Sequence, residues 1–105
     1  MARGASWNTA LEATVATAMA KEIRASGCNY TGNPCINLLR HPAWGRAQET
    51  YGEDPWLLGA FGLHFVRSVQ QHQVMSCPKH FALNSIENSR FYVDIRSSER
   101  SLREV

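Results

Sequence analysis

The sequence predicts an α/β chain, and a segment of a parallel-sheet domain rather than a closed one. Three observations lead there. Strand candidates alternate with long amphipathic stretches in the order helix, strand, long loop, helix, strand, long loop, helix, the pattern of βαβ units. Only two short strands are available, too few to cover the apolar faces of two long helices. The length of 105 residues allows a real core but not a closed α/β barrel, which needs ~250. No internal repeat or low-complexity linker divides the chain, so residues 1–105 read as one internal segment of a larger domain.

The first helix is expected over about 9–25. Thr9 and Glu12 have the spacing of a capping box, and Leu11, Val15, Met19 and Ile23 recur every fourth residue as an apolar stripe. Gly27 suits the left-handed position that closes a helix. A short strand around 28–31 follows, then an irregular connection through Gly32-Asn33-Pro34, Arg40-His41-Pro42 and Trp44-Gly45-Arg46. The second helix opens with Asp54 as cap and Pro55 at the first helical position, where no N–H is required. Leu58, Phe61, Phe65 and Val69 supply its buried stripe, to about Gln71. Val74-Met75-Ser76-Cys77 is the second strand candidate, ending at Pro78. A last helix is expected from Ser97 or Ser98, with Leu102 and Val105 as its apolar anchors.

Composition removes several functions. Eleven basic residues against nine acidic ones leave a net charge of +2. The signs alternate through the last twenty residues instead of forming the basic stripe that binds phosphate backbones, so no nucleic-acid partner is expected. No apolar run approaches the ~18 residues of a membrane span, and the first residues lack the apolar segment of a signal peptide. Three cysteines, Cys28, Cys35 and Cys77, are an odd number at irregular spacing and read as reduced thiols.

Polar chemistry collects in the two loops that leave the C-terminal ends of the strands, where parallel α/β architectures carry their ligand sites. The first holds Arg40, His41, Trp44, Arg46, Gln48, Glu49 and the Glu53-Asp54 pair. The second holds Lys79, His80, Asn84, Glu87, Asn88 and Arg90. Cationic and amide donors of this kind suit a neutral, hydroxyl-rich ligand, with Trp44 offering a ring face to a sugar. The alternative is that Arg40, Arg46, Glu49 and Glu53 pair with one another and pin the loop. Lys79 and His80 are adjacent on an extended backbone, so both enter one cleft only if the chain turns there. Cys77 and His80 lack a second pair for a zinc site. No G-x-S-x-G elbow or Gly-rich phosphate loop occurs.

The run from Cys35 through Arg40-His41-Pro42-Ala43-Trp44-Gly45-Arg46 to Glu49-Thr50-Tyr51-Gly52-Glu53-Asp54-Pro55 resembles a signature of glycoside hydrolase family 3. Pro78-Lys79-His80-Phe81-Ala82-Leu83-Asn84-Ser85-Ile86-Glu87-Asn88 resembles the family's second signature, and the likeness extends over essentially all 105 residues. It implies an incomplete (β/α)8 TIM-barrel segment whose parent removes β-linked glucosyl residues from non-reducing ends with retention, without a metal or cofactor. Arg46, Lys79 and His80 match positions that hold the sugar hydroxyls. Arg40, Glu49 and Glu87 match positions that support the site.

The same resemblance puts the nucleophilic aspartate after residue 105, the acid/base still farther along the polypeptide or on an associated domain, and another sugar-binding aspartate before Met1. No catalytic residue is therefore assigned within this chain, which is expected to be inactive alone. The expected partners are a β-linked glucoside or oligosaccharide and the missing barrel segments. The Gln48-Glu49-Thr50 variant keeps a β-xylosidase parent open, and a noncatalytic carbohydrate-binding or scaffold fragment is the competing class.

Overall fold

The computed structural model describes residues 1–105. Helix α1 covers Ala2–Ala5 and α2 covers Thr9–Ala25. Strand β1, Tyr30–Thr31, and helix α3, Pro55–Gln70, are joined by a long loop with one 3-10 turn at Ala47–Glu49. Strand β2 is Met75–Ser76 and helix α4 is Glu99–Glu104.

The strand ends meet because β1 and β2 pair in parallel, Tyr30 opposite Met75 and Thr31 opposite Ser76. Backbone bonds carry the pairing past both strands. Cys77 N–H donates to the Thr31 carbonyl (3.0 Å), Lys79 N–H to that of Pro34 (2.9 Å), and Ile36 N–H to that of Lys79 (2.8 Å). Residues 34–37 and 77–80 therefore leave the sheet side by side, and the two polar loops start from one edge.

Helix α3 forms as its sequence predicts. The Asp54 carboxylate accepts the Leu57 N–H at 2.6 Å, Pro55 takes the first turn, and Leu58, Phe61, Phe65 and Val69 are buried. Helix α2 departs from expectation at its start. Asn8, not Thr9, is the cap, its side-chain oxygen accepting the Leu11 N–H at 3.0 Å. Glu12 is released from capping and turned fully inside. The other end follows the predicted stop. Gly27 has φ +85°, and the Gly27 and Cys28 N–H groups reach the Arg24 and Ile23 carbonyls, the paired bonds of a Schellman motif.

The buried face of α2 is also rotated from the expected stripe. Ala16 and Ala20 are fully buried against Phe65, Val69 and Val74, while Met19 and Ile23 flank them and Leu11 stays exposed. Small side chains let the two helices approach closely, so the longer ones lie beside the contact instead of forming it. A second cluster joins Tyr51, Leu58 and Phe61.

No residue after Val74 is buried, and the radius of gyration, 14.6 Å, exceeds the ~13 Å of a compact domain this long. Helix α4 is capped by Ser98 and laced by Arg100–Glu104 and Arg103–Glu99 ion pairs. Its expected anchors, Leu102 and Val105, remain about half exposed. All three cysteines are free thiols, with only Cys35 buried. No helix is long and apolar enough to cross a membrane.

Phe65→Ala opens a cavity between α2, α3 and β2 and is expected to cost about 3–5 kcal/mol in urea unfolding. Leu11→Ala, on the exposed flank, is expected to cost less than ~1 kcal/mol. Equal losses would contradict the rotated face of α2.

Candidate functional site

The parallel edge presents a set of charged side chains organised around the Glu49 carboxylate. The 3-10 turn brings Glu49 back onto Arg46, whose Nε and Nη2 donate to the two carboxylate oxygens at 2.7 and 2.9 Å. Lys79, arriving from the end of β2, places Nζ 2.9 Å from Glu49 Oε2. One carboxylate thus joins both loops. Arg46 holds the Glu49 carboxyl down to about 2, with Lys79 assisting against the cost of burial, and Glu49 raises Arg46 in return.

Glu87 is the second acceptor. Its Oε1 receives the Trp44 indole N–H at 3.1 Å and the Asn84 amide at 3.3 Å, with Arg46 Nη1 at 3.7 Å. Arg90 lies 3.5 Å from Oε2. Burial pushes the Glu87 carboxyl up, but the Trp44 bond and the charges of Arg46 and Arg90 outweigh it and leave it below the usual range. Both carboxylates are therefore ionised at neutral pH.

His80 is oriented by Asn37. The Asn37 amide donates through Nδ2 to the Asn84 carbonyl (2.6 Å), so Oδ1 is the atom that faces His80. Oδ1 accepts the His80 backbone N–H at 2.8 Å and lies 3.0 Å from Nδ1. An amide oxygen only accepts, so Nδ1 carries the proton and neutral His80 presents Nε2 as an acceptor. Burial, then the charges of Arg46 and Lys79, lower its pKa and favour that neutral form. The Lys79–His80 peptide is cis.

Arg46, Glu49, Lys79, His80 and Glu87 thus converge. Arg40 does not join their ion pairs; it lines a small 160 Å³ hollow that His80 also borders. Glu53 likewise stays out, facing a cavity beside α1. Pairing within the loop is confirmed for Arg46 and Glu49 alone among the four expected partners. Trp44 is corrected from its expected role as a sugar platform. It is only 4% exposed, its ring stands nearly perpendicular to that of His80, and its N–H is spent on Glu87. Asn37 was not legible as a site residue, because its task depends on a neighbour 43 positions away. Lys79, His80, Asn84 and Arg90 border a 510 Å³ cavity, and Trp44 and Glu87 border another of 640 Å³. No group of three or more His, Cys, Asp or Glu side chains is placed to hold a metal ion.

The profile described as "Glycosyl hydrolase family 3 N terminal domain" matches residues 1–105. The chain belongs to glycosyl hydrolase family 3. This family 3 chain is 40% identical to beta-glucosidase A of Butyrivibrio fibrisolvens over 101 residues, covering 94% of itself and 12% of that enzyme. It is also 40% identical over 100 residues to an exo-alpha-(1->6)-L-arabinopyranosidase of Bifidobacterium breve, covering 95% of itself and 13% of the relative. The solved structure of beta-glucosidase 3B from Thermotoga neapolitana in complex with glucose superposes with a TM-score of 0.94 at 41% identity. That match covers 97% of this chain and 14% of the other. The family 3 chain therefore spans about an eighth of the length of these relatives, and its open two-stranded sheet is an incomplete segment of the family's barrel domain.

Because the folded Glu49 pKa is depressed, its ion pairs stabilise the chain fully only above the ordinary glutamate value near 4.5 and are lost as pH falls toward about 2. The stability gap between the native chain and Glu49→Gln in urea unfolding is expected to be widest above pH 4.5 and to close toward pH 2. A gap independent of pH would contradict the geometry around Glu49.

Proposed function

We propose that residues 1–105 are an internal fragment of a family 3 N-terminal barrel domain and form part of the wall that holds the terminal sugar. The parent is read as a retaining β-glucosidase releasing terminal β-D-glucosyl residues. The observation that carries this reading is the Arg46–Glu49–Lys79 cluster beside neutral His80. A sugar hydroxyl both donates and accepts, and this edge offers both partners. Lys79 has three N–H donors and gives one to Glu49, while His80 Nε2 and the Glu87 carboxylate accept. Arg90, bordering the same cavity as Lys79 and His80, adds a further cation. The likeness to relatives described as beta-glucosidases, one of them in complex with glucose, supports the sugar class.

Retaining hydrolysis needs a nucleophilic carboxylate and a second carboxyl that still carries a proton at working pH. Glu49 and Glu87 are both pulled to low pKa by cations and bonded donors, the reverse of the raised value an acid requires. Their role in this reading is to fix Arg46, Lys79 and Arg90, and the reacting pair belongs to other parts of the parent. The residues here contribute orientation, and their bonds to hydroxyls strengthen as the ring gains positive character.

A pentopyranoside parent is the second reading, favoured by the arabinopyranosidase relative at the same 40% identity. The choice rests on whether the site accommodates a C6 hydroxymethyl group.

Glucose titrated into the chain is expected to perturb the Lys79 and His80 side-chain NMR signals saturably. Lys79→Ala is expected to weaken binding about tenfold, the loss of a charge-assisted hydrogen bond. The chain alone is expected to leave aryl β-glucosides and β-xylosides intact. Glucose binding indifferent to Lys79→Ala and His80→Ala, or repeated turnover by the purified chain, would sink the proposal.

A further inference from the structure

Glu12 is a fully buried carboxylate on α2, far in sequence from the polar loops. Its Oε1 accepts the Tyr51 hydroxyl at 2.7 Å and Arg3 Nη1 at 2.8 Å, and its Oε2 has no partner. The Arg3 guanidinium also lies 5.6 Å from the centre of the Tyr51 ring. A fully buried carboxylate with one oxygen unpartnered carries a desolvation cost, so this group is a poor choice for stability alone. What it grips is the segment that carries the site. Tyr51 follows Thr50 and Glu49 directly. The fully buried Thr50 donates its hydroxyl to the Asn37 carbonyl, and Asn37 orients His80. Glu49, one residue before Thr50, aligns Arg46 and Lys79. Gly4 closes the same clamp from α1, since a Cβ there would collide with the Tyr51 carbonyl.

We propose that Glu12, through the Tyr51 hydroxyl, is a positioning residue that sets the register of residues 49–51 and thereby holds Glu49 and Asn37 in the geometry that Lys79 and His80 require. The residue touches no ligand, and its influence on sugar binding rests on the sugar-holding reading above. Its influence on Glu49 and His80 does not.

Two signals report position directly: the Glu49 side-chain carboxyl titration by carbon NMR, and the His80 ring nitrogen shifts, which distinguish the Nδ1-protonated tautomer. Tyr51→Phe keeps the ring packed on Phe61 and removes only the hydroxyl. It is expected to move the Glu49 midpoint up from about 2, mix the His80 tautomers and lower glucose affinity severalfold. Glu12→Ala is expected to do the same, while Glu12→Gln, which keeps an acceptor oxygen for Tyr51, recovers most of the native signals. Val69→Ala, a destabilising change in the other core cluster, is expected to leave both signals in place. If Tyr51→Phe does not fold, Glu12→Ala compared with Glu12→Gln decides. The proposal is overturned if Glu49 and His80 titrate natively in the folded variants, or if Val69→Ala moves them equally. Native glucose binding that ignores Lys79→Ala while Tyr51→Phe still shifts Glu49 would instead remove the sugar reading and leave the positioning role standing.

Discussion

Parallel pairing between residues 29–36 and 75–79 is the constraint from which the rest follows. A parallel pair cannot be joined by a tight turn, so a long crossover, usually a helix, runs between its strands. Here that crossing is α3, whose buried face is met by the alanines of α2 and by Val74. Once the strands lie in register, Lys79 bridges Pro34 and Ile36 through its backbone, donating to the first and accepting from the second. The two loops that follow therefore leave from the same end of the paired strands.

Charge then does locally what the thin core does not. Only 18 of 105 residues are buried, and none lies beyond Val74, so the second loop is held mainly by polar contacts. Glu49 and Glu87 serve as the two fixed points, each taking several donors from both loops. Cations gathered this closely would repel one another without these acids. A cluster so arranged keeps its own geometry, which is what the proposed sugar-holding role asks of it.

The N-terminal portion takes part in that geometry even though it carries none of the cluster. Glu12 reaches Tyr51 across 39 positions and Arg3 reaches Glu12 across nine. Helices α1 and α2 thereby touch the loop at the point where it turns into α3. This explains why a charged side chain occupies the buried face of α2, a position that amphipathic patterning assigns to an apolar one.

Local signals in the sequence were sufficient wherever one residue's neighbours along the chain decide its state. Asp54-Pro55, the four-residue stripe of α3 and the Gly27 stop depend on turn-by-turn hydrogen bonding and on φ, and each formed as patterned. The grouping of Arg46, Glu49, Lys79, His80 and Glu87 was legible through two signature loops following two strands. The face of α2, the burial of Trp44, the absence of Arg40 from the ion pairs and the contact of Asn37 with His80 were not. Each is settled by which sequence-distant group packs against a given oxygen or apolar surface. Only the close approach of two helices can make Ala16 and Ala20 better core residues than Leu11 and Val15, and only the paired strands can put Asn37 against His80.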